Sequence, residues 1–411
     1  MNFPFFISRR IVKNDARSFS RLIVIIARIA IALSLAVMII SSSMVNGFRK
    51  TISEKIYGFW GHINISKESL RSSYDDLPID KNETFINSIK NIEGVEHIQV
   101  YARKAGIIKT KTDIEGIIAK GISSDFNSTN FSRYVLDGKE IQFNDTIASR
   151  EIMISKSTAD RLQLKVGDSA VLYFIDPGGN GDYTPRAREL FITAIYNTGL
   201  EEFDKLFALV DVKQIQRLNG WNKNQVGGYE VFVKDAANIQ SIAEQVDLAA
   251  DPFWSVQTIQ QIIPSIFDWL NLQKINERII LILMLVVALI NMITSLLILI
   301  LERTNMIGIL KALGAANGAI QRVFLINAAY IISRGLLWGN ILGLGICFLQ
   351  ERFGILKLPE QSYYVSVVPV EINYWWVLLL NAGTLILSLL FLIIPSLLVS
   401  KIQPIKAIRF S

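Results

Sequence analysis

Residues 279–301 read Ile279-Ile-Leu-Ile-Leu-Met-Leu-Val-Val-Ala-Leu-Ile-Asn-Met-Ile-Thr-Ser-Leu-Leu-Ile-Leu-Ile-Leu301, a stretch without a single charge. An α-helix rises about 1.5 Å per residue, so about 20 apolar residues cross a hydrocarbon core of roughly 30 Å. The same test selects 22–41 and 375–399. It selects 323–349 less cleanly, because that segment carries Arg334, although 335–349 is apolar apart from Asn340. With 51% hydrophobic and 19% charged residues among 411, the chain is too apolar for an ordinary soluble enzyme. Four transmembrane helices are expected.

Basic residues precede the first apolar run and Ser41, Ser42 and Ser43 follow it, as in a secretory signal. A signal core is usually about 7–15 residues and this run is longer, so a retained anchor is expected. Orientation follows from Lys and Arg in the short connections. Arg9, Arg10, Lys13, Arg17 and Arg21 precede the first span; Arg303, Lys311 and Arg322 lie between the second and third; Lys401, Lys406 and Arg409 follow the fourth. The connection between the third and fourth holds Arg352 and Lys357 against Glu351, Glu360 and Glu371. Both termini are therefore expected in the cytoplasm, with 51–275 outside. The net charge of +6 is then a matter of topology and does not point to nucleic acid. Cys347, the one cysteine, falls in the third span, so the outer domain has no disulfide.

After Ser43 the apolar residues thin into Val45, Phe48, Ile52, Ile56 and Phe59, spaced by three or four, and a similar stripe of Ile259, Ile262, Ile263, Ile266 and Leu270 precedes the second span. Two amphipathic helices are expected to leave the membrane as stalks. Between them, strand composition marks 62–66, 98–109, 114–121, 170–175, 190–196, 207–210 and 229–233, and helical periodicity marks 82–92, 156–162, 212–218 and 236–246. Residues 176–185, with three glycines and two prolines, read as one long loop. The expected fold is an α-helical membrane protein with four transmembrane helices plus an α+β periplasmic domain inserted between the first and second. The segments are 1–21, an interfacial helix; 22–61, first span and stalk; 62–255, the domain; 256–301, stalk and second span; 302–322, a cytoplasmic connection; 323–349, third span; 350–374, a periplasmic loop; 375–399, fourth span; and 400–411, a cytoplasmic tail.

Within the spans, Gly335, Gly339 and Gly343 repeat every four residues and invite close approach of another helix. Asn291, Thr294 and Ser295 read as hydrogen bonds between helices, and Arg334 has no evident counter-charge. No phosphate-cradling Gly-x-x-x-x-Gly-Lys-Ser/Thr loop, no Gly-x-Ser-x-Gly elbow and no metal-ligand spacing around His62 or His97 occurs. An enzymatic reading has no motif behind it, and no cofactor or metal is expected in this chain.

The connection Glu302-Arg-Thr-Asn-Met-Ile-Gly-Ile-Leu-Lys-Ala-Leu-Gly-Ala315 resembles that of permeases in the type VII ABC transporter superfamily, which includes MacB-like exporters, FtsX-like division proteins and the lipoprotein-releasing Lol permeases. Phe191–Leu218, with Tyr196-Asn-Thr-Gly-Leu-Glu-Glu-Phe-Asp204, the segment from Tyr363 to Asn373, and Ile402-Gln-Pro-Ile-Lys-Ala-Ile-Arg409 are similar to the Lol branch. The resemblance implies a coupling helix that docks on a separate ATPase dimer through Glu302, Arg303, Met306, Ile307, Gly308, Leu310, Lys311, Leu313 and Gly314, with ATP bound by that partner. It implies a projecting loop, here Asp176, Pro177, Gly178, Tyr183, Pro185, Arg186 and Arg188, that holds a LolA-like carrier. It also implies a cavity for lipoprotein acyl chains lined by Met44, Val45, Phe48, Ile52, Ile262, Ile263 and Ile266, closed by a second permease copy or paralogue. A MacB-like exporter and an FtsX-like activator of a cell-wall hydrolase are the alternatives.

Overall fold

The computed structural model describes residues 19–67, 75–110, 113–177 and 183–402. The 1–21 interfacial helix falls almost wholly outside these residues, as does the tail beyond Ile402. Two compact units divide the chain, one of residues 51–268 with 358–366, the other of the remaining helices.

Among the described residues, four helices are long and apolar enough to cross a membrane. They run Phe19–Trp60, Pro264–Glu302, Asn317–Phe353 and Tyr374–Ser396. The first has 42 residues, about 63 Å of helix, which is twice the length a bilayer core requires. Packing inside the helical unit uses Ile31, Leu35, Met292, Leu296, Phe324 and Ile332, all buried. The glycine repeat faces the first span. A Cβ on Gly339 would lie 2.9 Å from the Ala32 carbonyl oxygen, and one on Gly335 would lie 2.8 Å from Ile31 Cγ2. Asn340 and Asn381 bridge the third and fourth spans at 2.7 and 3.0 Å. The three polar residues of the second span behave differently from the expectation. Asn291, Thr294 and Ser295 each donate to the carbonyl four residues earlier in their own helix, at 3.0, 2.9 and 2.8 Å. A short polar side chain on a helix reaches that carbonyl more readily than a neighbouring helix.

The other unit is built on a ten-stranded mixed sheet. Its strands are β1 (Ile63–Lys67), β3 (Val95–Lys109), β4 (Ile114–Ile122), β5 (Val135–Gly138), β6 (Glu151–Ser155), β7 (Ser169–Pro177), β8 (Tyr183–Tyr196), β9 (Phe207–Asp211), β11 (Gly228–Val233) and β12 (Trp254–Thr258), while β2 (Ile79–Asp80) and β10 (Gln225–Val226) form a separate pair. The order is β12-β1-β11-β3-β4-β9-β6-β8-β5, with β7 against β3 and β8. The 15-residue β3 joins the two halves, pairing β11 along its first part and β4 along its second. Parallel pairing of β4 with β9 and of β6 with β8 needs crossover connections, which makes the domain α+β. Three of its helices start on side-chain caps: Asn82 accepts from the Phe85 N–H, Ser155 from Thr158 and Asp211 from Lys213.

Three expected boundaries move. The sheet extends past 255, because β12 pairs with β1 through Thr258. The 256–301 stalk and span is broken: a single turn, Ile259–Ile262, is followed by a new helix that begins at Pro264. Proline suits a first helical position and disfavours helix in the residue before it. The described residues of the loop expected at 176–185 are strand, since β7 and β8 pair as far as Pro177 opposite Tyr183. There β7 has passed its last pairing with β3, so Pro177 and Pro185 lie where the hairpin has only two strands.

Candidate functional site

The connection between the second and third spans folds as a helix, Thr304–Ala312. Gly314 adopts φ +89°, its N–H donates to Lys311 and the Ala315 N–H to Leu310, which satisfies the last carbonyls in a Schellman arrangement. Glu302 ends the preceding helix and Arg303 stands between the two. The apolar face expected to meet a partner points inward. Ile307 and Gly308 are buried, and Met306 and Leu310 pack against the same core. The outer face carries Asn305, Ile309, Ala312 and Leu313, and Leu313 is 79% exposed. Both faces contain apolar residues, so periodicity alone could not assign inside and outside. Lys311 is engaged within the chain, donating to the carbonyls of Val399 (2.7 Å), Ser400 (3.2 Å) and Ile402 (2.9 Å) at the end of the last helix, Leu398–Lys401.

On the β7–β8 hairpin, Gly178 lies outside the described residues. The backbones of Asp176, Pro177, Tyr183 and Pro185 belong to the paired strands. Arg186 Nη1 donates to the Leu218 carbonyl at 2.6 Å in the last turn of the helix Val212–Asn219, which ties the hairpin base to the domain. Arg188 donates to the Ala187 carbonyl at 3.0 Å.

The stripe residues divide between the units. In the helical unit Met44, Val45 and Phe48 are half-buried. One side of this helix is covered by the segment after the third span: the Glu371 N–H donates to the Ser43 carbonyl at 2.9 Å, Lys50 pairs with Glu371 at 2.8 Å, and a Cβ on Gly47 would lie 2.4 Å from the Pro369 carbonyl oxygen. In the domain unit Ile52 and Ile266 are fully buried, near the Tyr57 ring that stacks on Phe267 at 6.0 Å. Ile263 is half-buried and Ile262 exposed.

A charged joint that the sequence reading missed lies at the end of the first helix. Lys120, on the central strand β4, is fully buried, donates to the Phe59 carbonyl and pairs with Glu230 of β11 at 2.6 Å. Gln99 donates to the other Glu230 oxygen at 2.8 Å, and the ammonium lies 4.7 Å from the Phe59 ring centroid. Burial pushes the Lys120 amine below its usual range, and Glu230 pulls it back. Alongside, Arg103 binds Asp76 through its guanidinium and its backbone N–H, both at 2.7 Å. The local signal was a lone cation inside the apolar run Ile117-Ile-Ala-Lys-Gly121.

Four apolar spans, a mixed-sheet domain between the first two in sequence and a capped helix between the second and third define a multi-spanning permease-type membrane protein. The chain belongs to the MacB/FtsX superfamily of type VII ABC permeases: the family model for the MacB-like periplasmic core domain matches residues 24–249, and that for the FtsX-like permease C-terminal region matches 278–404. Within that superfamily it is similar along its length to lipoprotein-releasing system transmembrane proteins. It is 24% identical to LolC of Neisseria meningitidis serogroup B over 95% of both chains, and 23% identical to LolE of Haemophilus influenzae over 99% of both. The periplasmic region of MacB from Actinobacillus actinomycetemcomitans aligns with a TM-score of 0.34 and 11% identity, over 49% of this chain and 92% of that one.

Proposed function

We propose that this chain is the permease subunit of an ABC machine that draws lipoproteins out of the inner membrane and hands them to a soluble LolA-like carrier in the periplasm. The observation that supports this reading is the end-to-end match to LolC and LolE. The chain itself is non-catalytic in this reading. ATP is bound and hydrolysed by a separate ATPase dimer, and a second permease, a copy or a paralogue, completes the complex. Both termini and the helix Thr304–Ala312 lie on the cytoplasmic side, and the sheet domain is periplasmic.

The ATPase contact falls on the outer face of that helix, where Asn305, Ile309, Ala312 and Leu313 form one stripe, with Leu313 as the apolar anchor. Movement there passes into the long helices that flank it. Met44, Val45 and Phe48 of the first helix meet the acyl chains, while Ile52 and Ile266 serve as packing. The hairpin beyond Asp176 and before Tyr183 reaches the carrier. A second reading, a MacB-like exporter, is favoured by the match of the periplasmic core model to 24–249.

Proteoliposomes holding the permease, its ATPase, a labelled lipoprotein and the carrier separate the two. Lipoprotein should appear in the soluble carrier fraction only with ATP. If it stays in the membrane while a peptide or small molecule crosses, the exporter reading holds. Leu313→Glu should keep the fold yet lose the ATPase on purification; an unchanged yield of ATPase would remove the proposed docking face.

A further inference from the structure

Two polar clasps hold the third and fourth spans side by side. Gln321 donates to Ser396 Oγ at 2.9 Å at one end, and the Asn340–Asn381 pair lies farther along. Between the clasps runs a groove of about 530 Å³, lined by Leu325, Ile326, Ala329, Ile386, Leu390 and Ile393. Its one charged lining residue is Arg322, beside the Gln321 clasp and exposed.

We propose that this groove is a binding site for one anionic glycerophospholipid, its phosphate on Arg322 and an acyl chain along the apolar walls. The charge pattern selects this occupant. A guanidinium stays ionised, and its fork matches phosphate oxygens. The rest of the groove offers hydrocarbon, so the site has one charged end and one apolar length, like the amphiphile itself. About 10 Å of helix separates Arg322 from Ala329, room for the upper part of a chain. A second protein helix would fill the apolar part and leave the cation needing an acid. A zwitterionic headgroup brings an ammonium that opposes the guanidinium.

Arg334 supplies the internal contrast. It lies on the same helix and is also exposed, but its guanidinium sits 5.0 Å from the ring centroid of Tyr330, near mid-span, far from any headgroup. The site rests on reading these helices as membrane spans and is independent of the cargo, so failed lipoprotein release leaves it standing.

The test places the purified full chain in nanodiscs of phosphatidylcholine with a minority of phosphatidylglycerol and counts retained lipid by native mass spectrometry. Wild type should keep about one phosphatidylglycerol, enriched about fivefold over the disc composition. Arg322→Gln should abolish the enrichment, Ala329→Trp should abolish it by filling the groove, and Arg334→Gln should leave it intact. Retention in proportion to disc composition, enrichment that survives Arg322→Gln, equal loss with Arg334→Gln, or a lipid-free dimer would each overturn the proposal.

Discussion

Lys311 and Lys120 do the same job in opposite surroundings. Each ammonium sits on carbonyls at the C-terminal end of a helix, where the backbone leaves acceptors unfilled and the helix dipole favours a cation. Lys311 lies on the half-exposed surface of the helical unit and holds three carbonyls. Lys120 lies in the dry centre of the sheet domain and comes with Glu230, itself braced by Gln99. His62 is a third solution. It is 9% exposed, its Nδ1 accepts the Val233 N–H at 3.2 Å, and burial holds it down to about 4 from the usual 6.5, so it stays neutral. Water lets a cation remain alone; without water the charge is paired or given up.

The largest effect should come from breaking the dry pair. Lys120→Met leaves Glu230 buried without its cation and should destabilise the domain by about 3–5 kcal/mol in denaturant titrations of the detergent-solubilised chain. Adding Glu230→Leu should recover most of that loss. If the double variant is as unstable as the single one, the pair is not what the site requires.

Next comes His62. Unfolded histidine takes up its proton below about 6.5 and the folded one only near 4, so stability is complete above pH 6.5 and falls as pH drops toward 4. Between pH 7 and 4.5 the difference between wild type and His62→Gln should close by about 2 kcal/mol. Asp76 and Asp204, raised by burial, act in the opposite sense and are common to both proteins, so the difference isolates the histidine. Parallel pH curves would show that His62 is not kept neutral.

The smallest effect belongs to the wet lysine. Lys311→Met should lower thermal stability by about 1 kcal/mol or less, and salt should weaken the wild-type contribution. A loss as large as that at Lys120 would erase the contrast between the two sites.

The spans and most of the sheet were legible because their signals are local: a charge-free run such as 279–301, or a strand-forming composition such as that of 98–109. β6 and β12 were not legible. Each is five residues long, and pairing with β8, β9 and β1 makes them strands, not their own composition. In the same way the glycine repeat announced a close helix contact but could not say that the first span makes it.

The sequence alone determined four runs long and apolar enough to cross a membrane, with one large insertion between the first two, since hydropathy acts over a few neighbouring residues. Tertiary structure alone decided which face of Thr304–Ala312 is offered outward, where Lys120 finds its carboxylate, and that the polar residues of the second span bond within their own helix. Those outcomes depend on which distant segments share a dry interior, and a 3.6-residue period names a face without naming its neighbour.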